Sequence, residues 1–213
     1  MGFLNFFKKK KTTSDNDEKD LEQCDLKAEN RTTAPNEYNF RYLQGLLSQG
    51  KENVTLNHDI VLGEGEESEF PAGILVQCSI DGNGHTIDAR GKVPILIVSW
   101  HVRNEIIIEN LILKNGYASN NYSLGGCLNN GLQRFPVTLL NCIGINSSAE
   151  KGGAVFNKGL LNLVDCEFKG NSARNFGGGI YNKGKINLKN TKLINNISTH
   201  SGGAIVNEEG ELS

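Results

Sequence analysis

The chain of 213 residues carries a formal net charge of −2, which gives no reason to expect a nucleic-acid or anionic-membrane partner. Its length suits one sizeable domain or two small ones, and no stretch approaches the ~20 apolar residues of a membrane-spanning helix. Gly (25 residues) and Asn are abundant and recur in phase, which excludes plain disorder, since disorder has no reason to keep a period.

The chain opens on "MGFLNFFKKKK". Apolar residues precede the lysines, the reverse of a secretory signal. Phe6 stands where a myristoylation pattern needs Ser or Thr. A solvated tail is the expected reading; the alternative is an interfacial hook with Phe3, Leu4, Phe6 and Phe7 in lipid and Lys8 to Lys11 at the head groups. Residues 8–35 are polar and charged and cannot offset their ordering entropy, so 1–35 is read as a disordered leader. In 36–51, Phe40, Leu43, Leu46 and Leu47 share one helical face, with Asn36 as N-cap and Gly50 as stop. This short amphipathic helix is expected to cap one end of the strand-rich region at 52–213.

From residue 52 onward the pattern is that of strands. "NVTLNHDIVL" alternates Val54, Leu56, His58 and Ile60 on one side. Further strand signals include "ILIVSW", "EIIIENLILKNG", "VTLLNCIGIN" and "KINLKNTKLINN", with Gly and Asn between them and no helix of crossover length. That argues against βαβ units. "GGAVFNKG" starts at Gly152, "GGGIYNKG" at Gly177 and "GGAIVNEEG" at Gly202. Asn157, Asn182 and Asn207 keep the same step of 25 residues, as do Asn146, Asn171 and Asn196.

A propeller blade needs ~40–45 residues, so this period suits one turn of a solenoid made of about three short strands. Residues 52–213 then form about six coils stacked at ~4.8 Å, a rod of about 30 Å. Equivalent side chains pile into columns. The two Asn triplets become internal ladders whose amides bond their own copies above and below. Ala154, Gly179 and Ala204 share a column that requires small side chains. "LQRFP" takes up an excess between Gly125 and Gly152 as a surface loop. After "GGAIVNEEGELS" no cap is visible, which raises end-to-end association at the C-terminal rung and a truncated fragment as expectations.

"GGAV" and "GGAI" with "FKGN" resemble the GGAI/FxxN repeats of polymorphic outer membrane proteins. The 37–213 stretch, with "IDGNGHTIDARG", resembles the adhesin-like proteins of methanogenic archaea. The resemblance implies an all-β, single-stranded right-handed parallel β-helix of the pectin-lyase-like type. It also implies a cell-surface location. The sequence shows neither signal peptide nor anchor, so the chain as it stands reads as cytoplasmic.

Such a scaffold also hosts polysaccharide lyases, which need clustered carboxylates, often around calcium, and a basic residue to abstract a proton. The local candidates are Asp81, Asp88 and Arg90, with His85 between them. The same stretch is dominated by Asp-Gly and Asn-Gly turn chemistry, with Asp88 and Arg90 pairing on the surface, and that reading is preferred. Asp165 aligns with Asn190 and Glu167 with Lys192, so no acidic groove is built. His58, His85, His101 and His200 share no ligand spacing, and no metal or cofactor is expected. Cys142 and Cys166 occupy matching positions; a buried thiol pair is preferred to a disulfide. Asn121 is the sequon most open to a glycan.

The expected function is therefore non-enzymatic: an adhesin-like rod binding carbohydrate or another cell-surface partner. Its binding face is expected to use Phe156, Tyr181, Asn162, Asn187, Lys158 and Lys183, with the two aromatics forming a strip for sugar stacking. A lyase or epimerase on the same scaffold and a piece of a larger adhesin are the alternatives.

Overall fold

The computed structural model describes residues 37–119, 124–131 and 134–213. The leader at 1–35, the Asn36 cap and the Asn121 sequon lie outside the described residues.

Helix α1 (Phe40–Leu47) begins one turn later than its expected cap. Asn39 is the N-cap, its side chain accepting from Tyr42 N, and Ser48 is the C-cap. Phe40, Leu43 and Leu47 are buried against the first coil, and Leu46 packs at their margin.

The rest of the described chain is a parallel β-solenoid of about six turns. Sheet A has seven strands, running from Asn53–Thr55 through Ser79–Asp81, Ile106–Glu109, Val137–Leu140, Leu160–Val164 and Lys185–Lys189 to Glu211–Leu212. Sheet B has six, from Ile60–Val61 to Lys192–Ile194. Sheet C also has six, from Ile74–Val76 to Ile205–Asn207. Sheet D has three: Ser148–Lys151, Ser172–Phe176 and Ile197–Ser198. Successive coils add their strands to the same sheets, and neighbouring strands pair in parallel.

Alternate residues of the strands turn inward and stack. Val137, Leu161 and Ile186 form one column, Leu139, Leu163 and Leu188 the next. The chain leaves the strand at Asn57 to Asp59, so His58 is exposed and stacks on Tyr38 at 3.8 Å rather than continuing the inward face. At Gly152, φ is +66° and a Cβ would fall 2.1 Å from Val155 O. That corner admits only glycine, which is why the phrase beginning there repeats.

Register explains where the 25-residue step holds. Asn130 and Asn157 pair across 27 residues, with the excess in the loop before Val137. Thr138 and Asn162 are then 24 apart, and so are Ser147 and Asn171. A bulge between Ala149 and Lys151 shifts the pairing with Ser172–Phe176, after which the step is 25.

Candidate functional site

Two polar columns run inside the coil. In the first, Asn130 Nδ2 donates to Asn157 Oδ1 at 2.7 Å and Asn157 Nδ2 to Asn182 Oδ1 at 2.7 Å. Asn182 Nδ2 donates to Asn207 Oδ1 at 2.6 Å. Asn130 joins this ladder although its spacing hides it from the repeat. In the second, Asn171 N and Nδ2 both donate to Asn196 Oδ1, and Ser147 N donates to Asn171 Oδ1. Asn146 is not a member. It is exposed, at φ 52°, in the turn before Ser147. The bulge lies downstream of it, so counting 25 back from Asn171 lands one residue early.

The catalytic candidates are occupied by turns. Asp81 Oδ1 accepts from Asn83 N at 2.9 Å and from Asn110 Nδ2 at 3.2 Å. Asp88 Oδ1 accepts from Arg90 N at 2.8 Å and from Asn115 Nδ2 at 2.9 Å. The expected Asp88–Arg90 surface pair is thus a backbone contact, with Arg90 in the left-handed region at φ 54°. His85 Nδ1 faces Asp59 Oδ1 at 3.0 Å. Among the described residues no group of three His, Cys, Asp or Glu could hold a metal. No helix there is long and apolar enough to cross a membrane.

The described cysteines are free and buried. Burial pushes the Cys127 thiol up to about 12. The neighbouring Cys166 thiol, then burial, hold Cys142 well above the ordinary thiol range. Cys142 Sγ donates to Ile108 O, Cys166 Sγ to Leu139 O and Thr191 Oγ1 to Leu163 O. Cys142 in turn holds Cys166 below that range, and the column uses these groups as short donors to backbone carbonyls. Cys166→Ser retains a donor and should melt within about 4 °C of the parent in a thermal scan. A much larger loss would show that sulfur volume, not donation, fills the column.

The six expected binding residues divide between two faces. Asn162 and Asn187 lie half-buried on the outside of sheet A. Asn187 Nδ2 donates to Asn162 Oδ1 at 2.7 Å and Asn162 Nδ2 to Thr138 Oγ1 at 3.1 Å. Phe156 and Tyr181 lie on sheet C, with Lys158 and Lys183 just beyond its strand ends. The outward column of this sheet reads Leu75, Ile97, Asn129, Phe156, Tyr181, Val206, far more apolar than an outer face needs to be.

Phe156 and Tyr181 stack with centroids 5.7 Å apart at 9°. They do not form an open strip: Phe156 is 3% exposed and Tyr181 0%. Lys151 Nζ sits 5.0 Å from the Tyr181 centroid and Lys158 Nζ 5.7 Å from that of Phe156. Phe176 closes the side, 6.3 Å from Tyr181. Sequence reasoning missed this cover because Lys151 and Phe176 come from sheet D, whose bulge turns them toward sheet C. Over the aromatics lies a recess of about 290 Å³, rimmed by Leu124, Glu150, Lys151, Lys158 and Lys183.

Residues 165–183 match the Chlamydia polymorphic membrane protein repeat. The match spans the turn from Asp165 through Phe168, Asn171 and the glycines to Lys183, in which Phe168 fills the core and Asn171 the second ladder. No curated protein and no solved structure matches the chain. A polymorphic membrane protein repeat on a parallel β-solenoid fits a surface adhesin-like protein.

Proposed function

We propose that this chain is a non-catalytic, adhesin-like β-solenoid that binds carbohydrate at a cell surface through the outer face of sheet C. One observation carries the reading: basic side chains converge over a recess on a face whose outward column is apolar. Apolar and aromatic columns rimmed by polar groups mark interaction sites. The polar columns of sheet A, by contrast, bond to themselves and have less to offer a ligand. The carboxylates that a lyase would need each accept from a turn amide and a neighbouring asparagine, which favours a structural role for them.

The test is a panel of neutral and acidic oligosaccharides immobilised and probed with the purified chain. Binding to members of the panel, lost on Lys151→Met, is the expected result. Incubation with acidic polysaccharides, with and without calcium, supplies the opposing outcome. Unsaturated product absorbing in the ultraviolet, abolished by Asp88→Asn or Arg90→Met, would overturn the non-catalytic reading.

A further inference from the structure

The geometry points to a carboxylated sugar, a hexuronate unit, as the ligand of the recess on sheet C; we propose this as the substrate class of the carbohydrate-binding reading, on which it rests. Two ammonium groups meet there without an ion-pair partner among the described residues, one of them held by a tyrosine hydroxyl. Lys151 Nζ donates to the Tyr181 hydroxyl at 3.5 Å and has no carboxylate within ion-pair range among the described residues. Lys158 has none either, its ammonium lying over Phe156. Tyr181 is fully buried, and its own O–H proton has no acceptor among the described residues.

Of the carboxylates nearby, one is ion-paired and the other is held by a neutral amide, which leaves the ammonium groups in excess at the recess. Glu150 Oε1 accepts from Asn175 Nδ2 at 2.8 Å, and Glu208 holds Lys183 at 3.0 Å. Lys151 and Lys158 therefore present positive charge to the same space, which suits an anionic oxygen pair, while the buried Tyr181 hydroxyl accepts from Lys151 and holds it in place.

The buried aromatics acquire a different role from sugar stacking. Each ring holds an ammonium group over its face, and a donor fixed before binding loses less freedom when the ligand arrives. The volume of about 290 Å³ lies at the small end of ligand pockets and suits a single sugar ring. Leu124 offers the apolar contact for the C–H face of that ring. A bare anion would leave this side of the recess uncovered.

The experiment is calorimetric titration of the full chain with a hyaluronan hexasaccharide and with its methyl ester, which removes the charge and keeps the sugar. The acid should bind at least about tenfold tighter than the ester, as loss of one charge-assisted contact implies, and its affinity should fall as salt rises. Lys151→Met and Tyr181→Phe should each remove most of that preference. Tyr181→Phe keeps the ring stack, so an unchanged melting curve separates lost binding from lost folding. Equal binding of acid and ester would overturn this inference and leave the carbohydrate reading standing. Binding of neither, together with none across the wider panel, would overturn both. Inorganic phosphate or sulfate displacing the acid at equal concentration would show a general anion site and overturn the sugar assignment. A preference surviving in both variants would place the acidic ligand elsewhere on the rod and overturn it as well.

Discussion

Replacing Asn157 with leucine should lower the melting temperature by roughly 6–12 °C, equivalent to about 3 kcal/mol for a unit of this size. Asn157 is fully buried, and its amide bonds in both directions along the column. Its Oδ1 accepts from Asn130 Nδ2 and from Gly159 N, and its Nδ2 donates to Asn182 Oδ1, Gly159 O and Lys185 O. Leucine has similar volume but satisfies none of these. The Asn130 amide and the Gly159 N–H are left without acceptors in the interior, at ~1–3 kcal/mol each. Asn182 Oδ1 keeps the Gly184 N–H, so the loss stays local to one rung.

The matched control is Asn187→Leu. Asn187 also belongs to an amide column, donating to Asn162. It is half-exposed on sheet A, and water replaces the lost contact, so its cost should stay below about 1 kcal/mol. Thermal unfolding followed by circular dichroism compares the two. Equal losses at both positions would mean that column membership, and not burial, sets the stability of a rung.

The winding of this chain was legible because a solenoid writes its geometry as a local period. Gly152, Gly177 and Gly202 mark the same corner in successive turns, and the corner admits no side chain. Two kinds of feature escaped. One is register: Asn130 sits 27 residues before its ladder partner, and Asn146 lies just upstream of a bulge. A period read from identical letters cannot see an offset absorbed by a loop or a bulge. The other is contact between elements of different sheets. Phe156 and Tyr181 alternate correctly as outward residues, and neither joins the core cluster. Their burial comes from Lys151 and Phe176 on sheet D, which no pattern within sheet C encodes. The candidate site was therefore legible in its residues and not in its shape.

The second large effect concerns Glu66, which no motif singled out. It lies in a single turn of 3₁₀ helix, Glu66–Ser68, that follows the strand Ile60–Val61 of the first coil. Only 1% exposed, it receives three backbone donors. Glu66 Oε2 accepts from Phe40 N at 3.2 Å and Gly63 N at 2.6 Å, and Oε1 accepts from Arg41 N at 3.1 Å. Two of these are the leading amides of α1, whose third, Tyr42 N, is capped by Asn39. A negative charge at the positive end of the helix dipole strengthens these bonds. Glu66 thus does for the helix what Asn39 alone does not: it ties the first turn to the body of the solenoid. The flanking pairs, Arg41–Glu69 and Lys92–Glu67, are exposed and contribute little.

Glu66→Ala leaves three donors without their acceptor, two of them buried, and should release α1 from the first coil. Hydrogen exchange at Phe40 to Leu47 should accelerate by at least about a hundredfold, matching ~3 kcal/mol of local stability. Sheet strands such as Leu160–Val164 should keep their protection, because each coil depends chiefly on its neighbours. Glu66→Gln should fall between the two, since its amide oxygen still accepts while its NH₂ turns toward other donors. Unchanged protection of α1 in the alanine variant would mean that Phe40, Leu43 and Leu47 hold the cap by packing alone, and that the buried carboxylate is dispensable.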